Sequence, residues 1–121
     1  MHIVASVLVA LVALEHVYFM VLEMFLWNTP YGRKTFQLTE ERAALTADLA
    51  KNQGLYNGFL AAGLVYGLVA TSTAEGYHVK IFFCSCVLVA GVYGAATASK
   101  KILFVQGLPG LAALVAVLVA G

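Results

Sequence analysis

Three ionisable side chains, Glu15, His16 and Glu23, interrupt an apolar run that begins at Ile3 and ends at Trp27. A carboxyl group and an imidazole on one surface are equipment for general acid–base catalysis. His16 and Glu23 are seven residues apart, roughly 20° short of two full helical turns, so they share a helix face. Glu15 points about 100° away from His16. Ionisable groups at membrane depth cost roughly 2.5–3.5 kcal/mol each on insertion scales, so they face protein or a water-filled cavity. Glu15 falls near the midplane, where a carboxyl group must find a partner or keep its proton. A metal site made from these three is opposed by the adjacency of Glu15 and His16. It is also opposed by the absence among them of a Glu and His three residues apart. No metal and no cofactor is expected.

A second polar group opens the next apolar segment: Asn52, Gln53, Tyr56 and Asn57. Gln53 with Asn57, and Asn52 with Tyr56, are i, i+4 neighbours on a helix surface. Tyr93, Thr97 and Lys101 follow one another at steps of four, and Gln106 lies just beyond them. The spacing assigns acid–base work to Glu23 and His16. The ligand-binding set is Glu15, Asn52, Gln53, Tyr56, Asn57, Tyr93, Thr97, Lys101 and Gln106. The plainer alternatives stand beside this: caps and water for the amides, and contacts between helices for His16 and Glu23.

The elements that must hold these side chains are hydrophobic. The chain is 62% hydrophobic and only 11% charged, with net charge +1 and mean hydropathy +0.90. A soluble fold of 121 residues would struggle to hide so much apolar surface, whereas a bilayer needs nothing hidden. The near-zero charge leaves no footprint for nucleic acid. Cys84 and Cys86, two apart in an apolar run, lie on nearly opposite sides of a helix and do not bridge each other. The expected fold is all-α, one transmembrane domain over residues 1–121, with spans at about 3–27, 52–70, 80–98 and 102–120. The first has no basic opening and no small-residue cleavage site, so it reads as a retained helix rather than a signal peptide.

Arg33, Lys34, Arg42, Lys51, Lys100 and Lys101 fall in the first and third loops, and only Lys80 falls on the other side. The positive-inside rule then places those loops in the cytoplasm and both termini outside. Asn28-Thr29-Pro30-Tyr31-Gly32 stops the first helix. Thr39 caps the next, with Glu40 and Glu41 in its first turn, so one helix is expected over 40–70, its start projecting into the cytoplasm. Short connections are expected at Thr71–Val79 and Ser99–Lys101. Gly54/Gly58/Ala62, Gly63/Gly67, Gly91/Ala95 and Gly94/Ala98 are small-residue rows for close helix packing, inside a bundle or between copies. Gly107-Leu108-Pro109-Gly110 should kink the last span and free a carbonyl near Val105. With this topology the polar residues crowd the cytoplasmic half, and the outer half is nearly bare of them.

Leu14-Glu15-His16-Val17-Tyr18-Phe19-Met20, Leu22–Trp27, Thr29-Pro30 and Gly32-Arg33-Lys34 resemble the start of the bacterial family catalogued as domain of unknown function 1304. Asn52–Gly63, Ala90–Ala95 and Lys101–Pro109 resemble its later helices. The resemblance covers essentially the whole chain and implies a four-helix inner-membrane protein, without an established activity. A looser likeness is to the membrane-associated eicosanoid and glutathione metabolism superfamily, which shares four spans, a long first cytoplasmic loop and a trimeric state. This chain departs from that pattern, having no arginine after Arg42, and no residue is carried across.

Two function classes follow. In the first, the chain is a cytoplasm-facing intramembrane enzyme or binding protein for a small amphipathic molecule. In the second, it is a proton-coupled small-molecule transporter using Glu15. Expected partners are membrane lipid, the small amphipathic ligand and a second or third copy of the chain, since four short helices enclose little space alone.

Overall fold

The computed structural model describes all 121 residues, Met1–Gly121, as five α-helices and one π-helical stretch with no strand. α1 runs His2–Phe25 without a Pro or Gly to break it. Its buried positions include Ala5, Val9, Val12, His16 and Glu23, a stripe with steps of four, three, four and seven. His16 and Glu23 thus continue the apolar packing face with polar groups.

α2, Pro30–Phe36, is absent from the sequence expectation, which read Pro30 only as a stop. Thr29 is its N-cap, with Oγ1 accepting from the Gly32 N–H at 3.2 Å. Pro30 suits the first position because the N–H it lacks would be unbonded there. Gly32 is required for room: a Cβ there would sit 1.9 Å from the Leu26 carbonyl oxygen. Gln37 ends α2 in the left-handed region at φ 55°, and the Leu38 N–H closes back on the Arg33 carbonyl at 2.8 Å.

α3 spans Glu40–Val69, within a residue of the expected 40–70. Thr39 caps it as expected, its Oγ1 accepting from the Arg42 N–H at 3.1 Å. α4, Ala74–Thr97, starts earlier than expected. Thr73 accepts from the Gly76 N–H at 3.0 Å, and Glu75 lies in the first turn, so most of the expected loop Thr71–Val79 is helix. After a turn at residues 98–100, the π-helical stretch Leu103–Gly107 leads into α5, Leu108–Ala120, with Pro109 in its first turn. The Leu108 N–H reaches back to the Leu103 carbonyl, the widened turn that a proline just downstream favours.

The chain divides into two compact units, Met1–Leu14 with Leu60–Gly121, and Glu15–Phe59. The first is built on an apolar core that includes Val9, Val12, Leu64, Cys84, Val87 and Val117. Glycines bring its helices together. A Cβ on Gly91 would lie 2.4 Å from the backbone of Gly107, and one on Gly63 would lie 2.3 Å from the Phe83 ring. The rows read from the sequence are therefore used inside the chain. Lys80 is buried at 5% exposure, its stem against Gly67. Its ammonium donates to Thr71 Oγ1, just past the end of α3.

Three helical segments are long and apolar enough to cross a membrane: His2–Phe25, Ala74–Thr97 and Leu103–Ala120. α3 is longer still at 30 residues, but Glu40, Glu41, Arg42, Asp48 and Lys51 occupy its first half.

Candidate functional site

The unit Glu15–Phe59 holds the end of α1, α2 and the first part of α3. Where α1 and α3 cross, α3 presents Gly54 and Gly58. A Cβ on Gly54 would meet Met24 Cγ at 2.5 Å and Glu23 Cβ at 3.1 Å, and one on Gly58 would meet Met20 Sδ at 2.9 Å. The bare α3 backbone therefore lies directly on α1 between Met20 and Met24. That closeness places Asn57 against Glu23: the Asn57 side-chain N–H donates to Glu23 Oε1. Glu23 is 4% exposed, so its carboxyl group is largely withdrawn from its surroundings, and burial strengthens the bond to Asn57.

His16 is fully buried on the same α1 stripe, with the edge of Phe19 packed at 5.4 Å between ring centroids. Two turns of helix, about 10.5 Å of rise, separate it from Glu23, so the two groups act at different depths. Glu15 is half-buried, and its Oε1 is buried with no hydrogen-bond partner. Asn57 is half-buried, whereas Asn52, Gln53 and Tyr56 are exposed on α3, Tyr56 making an edge contact with Phe59 at 5.9 Å. Tyr93, Thr97, Lys101 and Gln106 belong to the other unit. Tyr93, Thr97 and Lys101 are exposed, with the Thr97 hydroxyl donating to the Tyr93 carbonyl at 2.7 Å. Gln106 is half-buried within the π-helical stretch. Glu15, His16 and Glu23 do not gather into a cluster able to hold a metal ion.

Several polar contacts around the site went unread in the sequence. Trp27 Nε1 donates to Thr46 Oγ1 at 3.0 Å, and its ring packs on Phe36 at 4.7 Å, tying α1, α2 and α3 together below Glu23. Arg33 donates to the Asn28 side-chain oxygen at 2.9 Å, and the hydroxyls of Tyr18 and Tyr31 hydrogen-bond to each other. The aromatic and basic content of residues 27–34 was the available signal, but their pairing depends on α2.

Chemically, the unit offers a buried carboxyl group with an amide donor, a buried imidazole two turns away, and adaptable thioethers at Met20 and Met24. Such groups can donate and accept hydrogen bonds and take part in proton exchange.

The chain is 38% identical over 116 residues, 94% of each protein, to the uncharacterized protein YpaA of Lactococcus lactis subsp. lactis (strain IL1403). No solved structure matches it. Residues 10–118 match the family described as protein of unknown function DUF1304, and with nearly the whole chain covered, this protein belongs to that family.

Proposed function

We propose that the chain is a small integral protein of the bacterial cytoplasmic (inner) membrane, crossing four times as a helical bundle with both termini outside. Its function is to bind, and by acid–base chemistry to transform, a small amphipathic molecule entering from the cytoplasmic side. The hydrogen bond between Asn57 and buried Glu23 carries this reading. A carboxyl group removed from water and met by a neutral amide rather than a cation is suited to a ligand head that donates hydrogen bonds or carries positive charge. The burial of Lys80 supports the topology, because it withdraws from the surface the one basic side chain that fell outside.

Glu15 favours a second reading. A buried carboxyl oxygen with no hydrogen-bond partner is a natural proton carrier, and the alternative is a proton-coupled transporter of a small molecule. Glu15→Gln and Glu23→Gln separate the two in proteoliposomes loaded with a bacterial lipid and metabolite extract. Chemical turnover lost with Glu23→Gln and kept with Glu15→Gln supports the enzyme. Loss of pH-driven flux with Glu15→Gln, with no chemistry in any variant, supports the transporter instead.

A further inference from the structure

On α3, Leu45, Leu49, Asn52, Tyr56 and Phe59 are all exposed, and they recur at alternating steps of four and three. That is the spacing of a coiled-coil seam. Leu45 is 77% exposed, Leu49 72%, Tyr56 60% and Phe59 54%. The inward side of the same helix is a separate stripe, with Ala43, Ala50 and Gly54 buried. Leu45 and Leu49 precede the apolar part of α3, so acyl chains do not account for their exposure, and Asn52 lies between them and the aromatic residues. We infer that this seam is an interface between copies of this chain, α3 packing on α3 of a second copy in parallel.

Charge selects both the partner and the direction. Seen along the seam, Glu41 and Asp48 lie on one flank, and Thr46 and Gln53 lie on the other. In a parallel pair each flank faces the opposite flank of its neighbour, so the acids meet the neutral Thr46 and Gln53 side rather than each other, Thr46 keeping its hydrogen bonds to Trp27 and Arg42. Arg42, one turn before Leu45 on the seam, faces its own equivalent in a parallel pair, and Glu41 of the second copy beside it offsets the like charges. An antiparallel pair would set acid against acid. Copies inserted the same way into one membrane are related by an axis along its normal, and such an axis makes α3 run parallel to itself. Asn52 carries both a donor and an acceptor, so it can satisfy itself against its own equivalent, as a single polar residue in a coiled-coil seam does. The glycine rows are already filled within the chain, so they do not compete for this role.

The test is disulfide cross-linking of the full chain in native membranes. Leu45→Cys, Leu49→Cys and Asn52→Cys are compared with Ala47→Cys and Lys51→Cys, and with the unaltered chain, whose Cys84 is buried and Cys86 half-buried. Cross-linking at positions 45, 49 and 52 to a product of twice the chain's mass, with none at 47 or 51, is expected. Leu45→Glu/Leu49→Glu should reduce the chain to single copies in nanodiscs, by mass photometry. Absence of the doubled product at all three seam positions, or equal yields at 47 and 51, overturns the inference. So does a cross-linked product whose mass is not a multiple of the chain's, which would mark a different partner, and so does a single-copy wild type in nanodiscs, which would leave the seam to lipid.

Discussion

Glu23 and Asn57 can be taken apart one side chain at a time. Asn57→Leu leaves a buried carboxyl group without its donor and should cost about 1–3 kcal/mol, while the chain still inserts and folds. Adding Glu23→Leu should recover most of that loss, because replacing both hydrogen-bonding partners with apolar groups is close to neutral. Thermal unfolding in mild detergent measures both, and a single Asn57→Leu variant more stable than wild type would show that the bond is not part of the folded unit. Both residues were legible as candidate site residues, because charge and amides stand out in a chain this apolar. Their pairing was not legible, since it depends on how closely α3 approaches α1 at Gly54. The burial of Lys80 was not legible for a related reason: it depends on Gly67, which leaves room for its stem, and on Thr71, which takes its ammonium.

At the level of elements, glycine decides where helices touch. Gly91→Ala would push a methyl group onto the Gly107 backbone, 2.4 Å from its N and Cα atoms. Neither can rotate away, so α4 must separate from the π-helical stretch at a cost of about 1–3 kcal/mol. Gly94→Ala meets only the side chain of Ile102, at 3.0 Å, and should lower the melting temperature less. Equal effects in the two variants would argue against backbone contact at Gly91. The bounds of α3 were readable because Thr39, Glu40 and Glu41 write a helix start in three adjacent residues. Gly107-Leu108-Pro109-Gly110 marked an irregularity in the last span, and the π-helical stretch Leu103–Gly107 lies just before Pro109. α2 was missed because Pro30 signals both the end of one helix and the first residue of another. The early start of α4 was missed because Thr71–Val79 reads as small and polar until Thr73 is recognised as a cap.

At the scale of the whole molecule, the polar asymmetry read from the sequence rests on the topology, which labelling tests directly. Under the proposed topology, Lys34 is cytoplasmic and Glu75 is outside. In intact cells, Lys34→Cys should resist a membrane-impermeant thiol reagent and Glu75→Cys should react, and labelling at position 34 would invert the topology. Under the proposed function, the acid–amide pair of Glu23 and Asn57 should hold a small molecule through purification. The decisive measurement is native mass spectrometry of the protein extracted from its membrane, with the released small molecules identified. Wild type and Glu40→Gln, altered on the exposed start of α3, should carry the same amphipathic molecule, and Glu23→Gln and Asn57→Leu should lose it. A wild type that releases nothing but bulk phospholipid, or a bound molecule retained equally in Glu23→Gln, would contradict a binding site at Glu23.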